Sequence, residues 1–224
     1  HRIFGWGADV VEVGVPFSDP VADGPVIQRA AHDALAGGTR LRRILDALES
    51  DRPPGPVVLM SYLNPLLALG RQLAAERIGR AGVSGLIVPD LPADEARPWL
   101  ESTRLHGIEL IPLVAPTSDE RRIASVLACS DGLLYYVSVT GTTGVRRELD
   151  AGLPDALDRL RRSTGRPVAA GFGISTPEHV QRLRRHCDGV VVGSRIVEAI
   201  RRDEDLAELI GRLKEATRGG RCWS

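Results

Sequence analysis

The chain has 224 residues, enough for one large single-core domain, and its 29 basic residues balance its 29 acidic ones. That neutrality removes the electrostatic ground for nucleic acid or an anionic membrane as partner, and no apolar run approaches the ~20 residues that span a bilayer. Three cysteines, Cys129, Cys187 and Cys222, show no CxxC spacing and cannot all pair, so neither a disulfide framework nor a zinc site is expected. A reducing compartment fits, and with no signal-peptide pattern at the start the expected location is the cytoplasm.

In chain order, short apolar runs alternate with longer amphipathic stretches. The runs are Val10–Val15, Val57–Tyr62, Gly85–Val88, Glu109–Val114, Leu133–Ser138, Pro167–Phe172 and Gly189–Val192. Each is rich in apolar residues on both faces, the pattern of strands buried on both sides of a parallel sheet. Between them, Leu41, Ile44, Leu45 and Leu48 form a helical stripe, as do Ile123, Val126 and Leu127, and then Val180 and Leu183. Thr117-Ser118-Asp119-Glu120 and Ser175-Thr176-Pro177-Glu178 carry the hydroxyls and early acidic residues that start helices, the second with proline in its first turn. Strand–helix alternation without a linker or repeat predicts one βα-repeat domain over residues 1–224 with a parallel sheet. The strands number one fewer than a closed (β/α)8 TIM barrel needs, so the expected fold is that barrel lacking its first strand and helix. An open doubly wound sheet is the alternative, against which stands the lack of GxGxxG after the first strand.

Active sites of such barrels lie where strands end. The first strand carries Glu12 among Val10, Val11, Val13 and Val15, and a carboxylate in a buried strand is costly unless it is paired or functional. Pairing with an arginine across the barrel mouth is the plainer explanation. On the same side of the strand, Gly14 leaves room for a substrate. Asp23 follows in a proline-stiffened loop, where a turn or helix cap would also explain it. Two carboxylates at one mouth suit proton transfer, one protonated and one ionised. Toward the other end, Gly171-Phe172-Gly173 and Val192-Gly193-Ser194 put glycine where strands turn into helices, a backbone arrangement that binds anions. The loop Thr140–Gly144 could close over it. A phosphorylated small molecule is the substrate class these loops imply.

The lone lysine, Lys214, lies in the final helix, so a Schiff-base mechanism is not expected, and the five histidines avoid strand ends, which disfavours a His-bound metal. Glu12, Asp23, Asp90, Asn64, Tyr62, Tyr135 and hydroxyls are what remains at the mouth.

The segment Glu12–Gln28 (EVGVPFSDPVADGPVIQ) resembles the hallmark of the tryptophan synthase α subunit family, and Met60–Pro65 (MSYLNP), Gly85–Pro92 (GLIVPDLP), Tyr135–Gly144 (YYVSVTGTTG) and Gly171–Ser175 (GFGIS) agree in order. The resemblance runs from about Gly7 to the end. It implies a carbon–carbon lyase of tryptophan biosynthesis that splits indole-3-glycerol phosphate into indole and glyceraldehyde 3-phosphate. On it, Glu12 is the general acid/base, Asp23 holds the indole N–H and Tyr135 lies near Glu12. Met60, Thr143 and Phe172 would line the indole site, with Tyr62 counted among the substrate-binding residues, and Gly144, Gly173, Gly193 and Ser194 would hold the phosphate. No cofactor is expected in this chain; pyridoxal phosphate belongs to the β subunit with which the family forms an α2β2 heterotetramer. The interface maps to Pro16, Asp19, Asn64 and Pro92. The family has a strand and helix before the position of Gly7, where this chain has only His1–Trp6. Competing readings are another phosphate-binding barrel isomerase, or a truncated inactive subunit that binds or regulates the β partner.

Overall fold

The computed structural model describes residues 1–130, 132–137, 149–171 and 173–219. A short helix α1 (Arg2–Gly5) leads into β1 (Val11–Gly14), followed by α2 (Pro25–Ala36) and α3 (Leu41–Ser50). Next come β2 (Val57–Met60), α4 (Leu63–Leu67), α5 (Arg71–Arg80), β3 (Gly85–Ile87) and α6 (Ala96–Arg104). The run Glu109–Val114 forms two pieces, β4 (Glu109–Leu110) and β5 (Leu113–Val114), and α7 (Glu120–Ala128) and β6 (Leu134–Val137) follow. The last elements are α8 (Leu153–Thr164), β7 (Val168–Gly171), α9 (Pro177–Leu183), β8 (Gly189–Val190), α10 (Ser194–Arg201) and α11 (Leu206–Ala216).

All pairings among these strands are parallel and run in chain order, β1-β2-β3-β4 and β5-β6-β7-β8. The break between β4 and β5 has a chemical cause. Ile111 N–H donates to Leu86 O at 2.8 Å on one side, and Pro112 O accepts from Tyr135 N–H at 3.1 Å on the other. Pro112 has no N–H to give, so the ladder thins there while the chain still connects β3 to β6. The expected single strand is thus one strand position with a proline interruption. Among the described residues β8 pairs with β7 and β1 with β2, and neither pairs with the other. The fold is a (β/α) barrel with a seam at that place. Helix α10 packs against α2 there. No residue of β1, α1 or α2 is buried except at the margins of the following loops, and Val10 and Ile200 are exposed.

Three packed regions follow from the alternation of side chains along the strands. One cluster joins the outer faces of β1–β4 to the helices around them, with Leu45, Leu59, Ile78, Leu86 and Trp99 at its centre. A second does the same for β5–β8, around Leu134, Leu157, Val168, Val180 and Leu183. The third fills the barrel interior with Ile87, Ile111 and Tyr135, against Val58, Met60, Leu113, Leu133, Val137 and Val191. The amphipathic stripes land where expected: Leu41 and Leu45 are buried on α3, Val126 on α7, and Val180 and Leu183 on α9. The two capping segments also form caps. Asp119 accepts from Arg122 N–H at 2.7 Å, and Thr176 accepts from His179 N–H with Pro177 in the first turn. The short helix α4, directly after β2, has no periodic signal in its five residues. No helix of the described residues is long and apolar enough to cross a membrane.

One buried ion pair locks the second half. Arg161 on α8 makes a two-pronged contact to Asp188 at 2.8 and 2.9 Å, and Asp188 also accepts from Val168 N–H at 3.0 Å. Both side chains are mostly buried. Removing one partner of such a pair leaves the other charged and desolvated. Asp188→Ala is therefore expected to destabilise the protein by about 3 kcal/mol, read as a lower urea midpoint with an unchanged slope. A loss under about 0.5 kcal/mol would show that the contact contributes no more than a surface pair.

Candidate active site

Glu12 faces the barrel interior. It is in register with Val58, and Val58 belongs to the interior cluster. Gly14, the next residue on that face, pairs with Met60, and the space where its Cβ would project is open. The arginine partner that would have made Glu12 structural is not there: no ion pair involves it among the described residues. Burial, and then the nearby charge of Asp23, push its carboxyl up from 4.5 to about 7. A carboxyl poised there exchanges its proton readily near neutral pH.

Asp23 is held by the chain around it. The Tyr62 hydroxyl donates to the Asp23 carboxylate and accepts from Ala22 N–H at 3.0 Å. The Tyr62 ring lies 5.3 Å from that of Phe17, so one side chain pins both ends of the β1–α2 loop. Burial raises the Asp23 carboxyl, and the Tyr62 hydrogen bond opposes the rise. Tyr62, expected to line the substrate site, is itself buried and commits its hydroxyl to Asp23 and Ala22, so its place is behind Asp23. Asp90, just past β3, reaches back to the preceding βα unit and accepts from Leu63 N–H, at the start of α4, at 2.8 Å.

Tyr135 on β6 is buried in the interior, and desolvation, then the Glu12 charge, hold its hydroxyl well above its ordinary range. It therefore stays protonated. Its ring lies against Gly171, where any Cβ would overlap the phenol oxygen. Gly171 thus makes room for Tyr135, a role that sequence alone did not suggest, since that glycine reads equally well as a strand-to-helix turn.

The phosphate candidates come from adjacent strands, β7 and β8. Gly173 takes φ +77°, which favours glycine, and Gly193 caps α10 with Ser194 at its first turn. Helix N-termini present unbonded N–H groups to anions. Thr143, Gly144 and Phe172 lie outside the described residues. Of the expected interface residues, Asp19, Asn64 and Pro92 are exposed after three successive strands, Asn64 within α4, whereas Pro16 is buried. Pro16 forms the wall of a cleft of about 600 Å³ on the outer side of β1, with Phe17, Leu41, Asn64, Pro65 and Leu69. This cleft is separate from the barrel interior, because Val15, which also lines it, alternates with Gly14.

Among the described residues, the lysine and the histidines lie away from the strand ends. Lys214 lies on α11 with its Nζ 2.6 Å from Asp9, tying that helix to the segment before β1. His32 and His179 are on helices, and His106 and His186 sit in the turns after α6 and α9. Among the described residues no group of three or more His, Cys, Asp and Glu side chains converges as a metal site.

The raised Glu12 carboxyl has a consequence for stability. An unfolded-chain glutamate loses its proton near 4.5, whereas the folded one keeps it to about 7. The native state thus binds the extra proton in that window, and stability falls as pH rises through it. Glu12→Gln removes the buried charge. The variant is expected to exceed the parent in stability above pH 7 by on the order of 2–3 kcal/mol and to match it near pH 4. Urea titrations at the two pH values check this; an equal gap at both would remove Glu12 ionisation as its cause.

Residues 2–219 match the family model described as tryptophan synthase alpha chain. The chain is 45% identical over 215 residues to the tryptophan synthase alpha chain of Roseiflexus castenholzii, covering 95% of this chain and 82% of that one. To the tryptophan synthase alpha chain of Bacillus cereus it is 46% identical over 213 residues, covering 93% and 83%. Its fold is similar to a tryptophan synthase structure from Mycobacterium tuberculosis, with TM-score 0.90, 38% identity, and 97% and 84% of the two chains covered. The tryptophan synthase subunit alpha of Legionella pneumophila str. Paris matches with TM-score 0.85 and 33% identity over 97% and 84%. The family model, the sequence relatives and the solved structures agree: the chain belongs to the tryptophan synthase alpha chain family.

Proposed function

We propose that this chain, as a single catalytic barrel domain, cleaves indole-3-glycerol phosphate to indole and glyceraldehyde 3-phosphate, the α reaction of tryptophan synthase. The observation that carries the chemistry is a carboxyl inside the barrel, Glu12, with no ion-pair partner among the described residues and a pKa raised to about 7, near an Asp23 held by Tyr62. Protonated Glu12 delivers a proton to the ring carbon that bears the glycerol chain. Ionised Asp23 accepts the indole N–H and stabilises the positive charge that builds on the ring. Glu12, now a carboxylate, takes the proton of the adjacent hydroxyl. The carbon–carbon bond breaks, its electron pair restores the indole ring, and the hydroxyl carbon becomes the aldehyde. Atoms and electrons balance without an oxidant or reductant.

The surroundings serve this cycle. Tyr135, kept neutral by burial, offers a hydroxyl near Glu12 without adding a charge. Met60, in register with Gly14, faces the same interior and lines the indole side; the family motif adds Phe172 and Thr143, which lie outside the described residues. The phosphate lies between the loops of Gly173 and of Gly193 and Ser194, where backbone N–H groups balance its charge; Gly144, which the family motif adds, lies outside the described residues. The reaction so written asks no cofactor of this chain. Pyridoxal phosphate belongs to a β subunit that docks, in an α2β2 assembly in the cytoplasm, on the face carrying Asp19, Asn64 and Pro92 and the cleft walled by Pro16.

An indole-release assay, with and without a tryptophan synthase β subunit, tests the activity. Glu12→Gln is expected to lower kcat by about 10²–10⁴-fold while glycerol 3-phosphate still binds, because the amide fills the site but transfers no proton. Asp23→Asn is expected to lose turnover rather than raise KM, since its charge acts on the transition state. A normal kcat in either variant would remove that residue from the mechanism.

The phosphate reading has its own variant. A Cβ at Gly193 meets nothing within 4 Å, so Gly193→Asp should fold normally while placing a negative charge beside the anion. Glycerol 3-phosphate binding is expected to drop more than tenfold with an unchanged melting temperature. Undiminished binding would move the phosphate elsewhere.

A further inference from the structure

The loop after β7 is closed by hydrogen bonds that the catalytic reading does not use. His179, on the first turn of α9, is buried, and its Nδ1 accepts the backbone N–H of Ser175 at 3.3 Å. The His179 N–H in turn donates to Thr176 Oγ1 at 3.3 Å, and Val180 N–H to Thr176 O at 3.2 Å. Accepting at Nδ1 places the ring proton of neutral His179 on Nε2. The bonds resemble a capping box moved one residue outward, with an imidazole in place of the usual carboxylate.

Two features separate this from plain helix capping. The segment it holds is the one that contains Gly173, at φ +77°, and among the described residues neither the Gly173 nor the Ile174 amide donates to any group. Ser175 is also more than nine-tenths buried, yet its hydroxyl has no partner among the described residues. Buried polar atoms are ordinarily satisfied, and leaving one unmade is costly. A loop with idle amides and a buried idle hydroxyl, held from behind at its one bonded amide, is a preorganised anion binder.

We propose that His179 is a positioning residue for the substrate phosphate, holding the Ser175 backbone so that the Gly173-Ile174-Ser175 segment is set for the anion before it arrives. The inference rests on the phosphate reading above and adds the residue that sets the loop. His179 acts only through the backbone it holds. Losing it loosens the loop and weakens binding of the phosphate while leaving proton transfer at Glu12 intact.

The test compares His179→Leu, which removes the acceptor, with His179→Asn, whose Oδ1 can take the place of Nδ1. For His179→Leu the expected result is a fivefold to tenfold weaker Kd for glycerol 3-phosphate and a matching rise in KM, as for one lost hydrogen bond, with kcat within twofold. His179→Asn is expected to recover most of the affinity. An unchanged Kd in the Leu variant, or a fall in kcat without a rise in KM, would overturn the inference. If that variant does not fold, the parent protein decides by backbone amide NMR. On adding glycerol 3-phosphate the Gly173 and Ile174 amides should shift while Ser175 keeps its bond to His179; a Ser175 amide that moves as far as theirs overturns it. The Gly193→Asp variant separates the two levels. If it binds glycerol 3-phosphate normally, the phosphate reading falls and this inference with it. If it loses binding while His179→Leu keeps it, only the positioning role falls.

Discussion

The carboxyl of Glu12 is placed where water would normally be needed to support a charge, and much of the barrel mouth is arranged around that fact. Strand register sends it inward beside Val58, and no cation of the described residues meets it. The desolvation is partly relieved by holding the proton to about pH 7. That solution works only if the neighbouring groups do not compensate the charge. Tyr135 stays neutral, and Asp23 is negative enough to raise Glu12 further. Asp23, in turn, is raised by burial, and the Tyr62 hydroxyl favours its charged form in a partly buried loop. Burial raises both carboxyls, and only that of Asp23 has a tyrosine hydrogen bond opposing the rise, so the two sit in different environments, as the proposed acid and anion roles require.

This arrangement requires rigid walls. Tyr62 is buried between the β1–α2 loop and the end of β2, and Phe17 packs on its ring, so Asp23 is fixed by a contact that spans two βα units. Tyr135 is fixed by the missing side chain of Gly171 on the neighbouring strand. The phosphate end is built from different materials, glycine backbone and helix starts, because an anion is best met by N–H dipoles that need no counter-charge of their own. On the proposed reading the barrel separates proton chemistry on β1 from anion binding after β7 and β8. The seam between β8 and β1 lies between the two functions, and there α10 packs on α2.

The strand–helix alternation, the helical stripes and the two capping segments were legible in the sequence because they are local: burial on both faces, a period of 3.6, and a hydroxyl or carboxylate ahead of a helix are all written within a few residues. The proline interruption of the Glu109–Val114 strand was not read, although Pro112 was visible, because its effect depends on which neighbour its missing N–H would have faced. Helix α4 was too short for any period to show. At the site, Glu12 and Asp23 stood out as carboxylates in unlikely places, and glycines where the last two strands turn into helices marked the phosphate loops.

What the sequence by itself determined was the parallel α/β repeat, the family and the identity of the two carboxyls. Only the tertiary structure decided what each residue faces. It set the Tyr62 hydroxyl between Ala22 and Asp23, turned Pro16 into a cleft wall, gave Gly171 its purpose beside Tyr135 and set His179 behind Ser175. The physical reason is that propensity and pattern act along the chain. A pKa or the partner of a hydroxyl is set by groups that approach through space, from strands and loops many residues away.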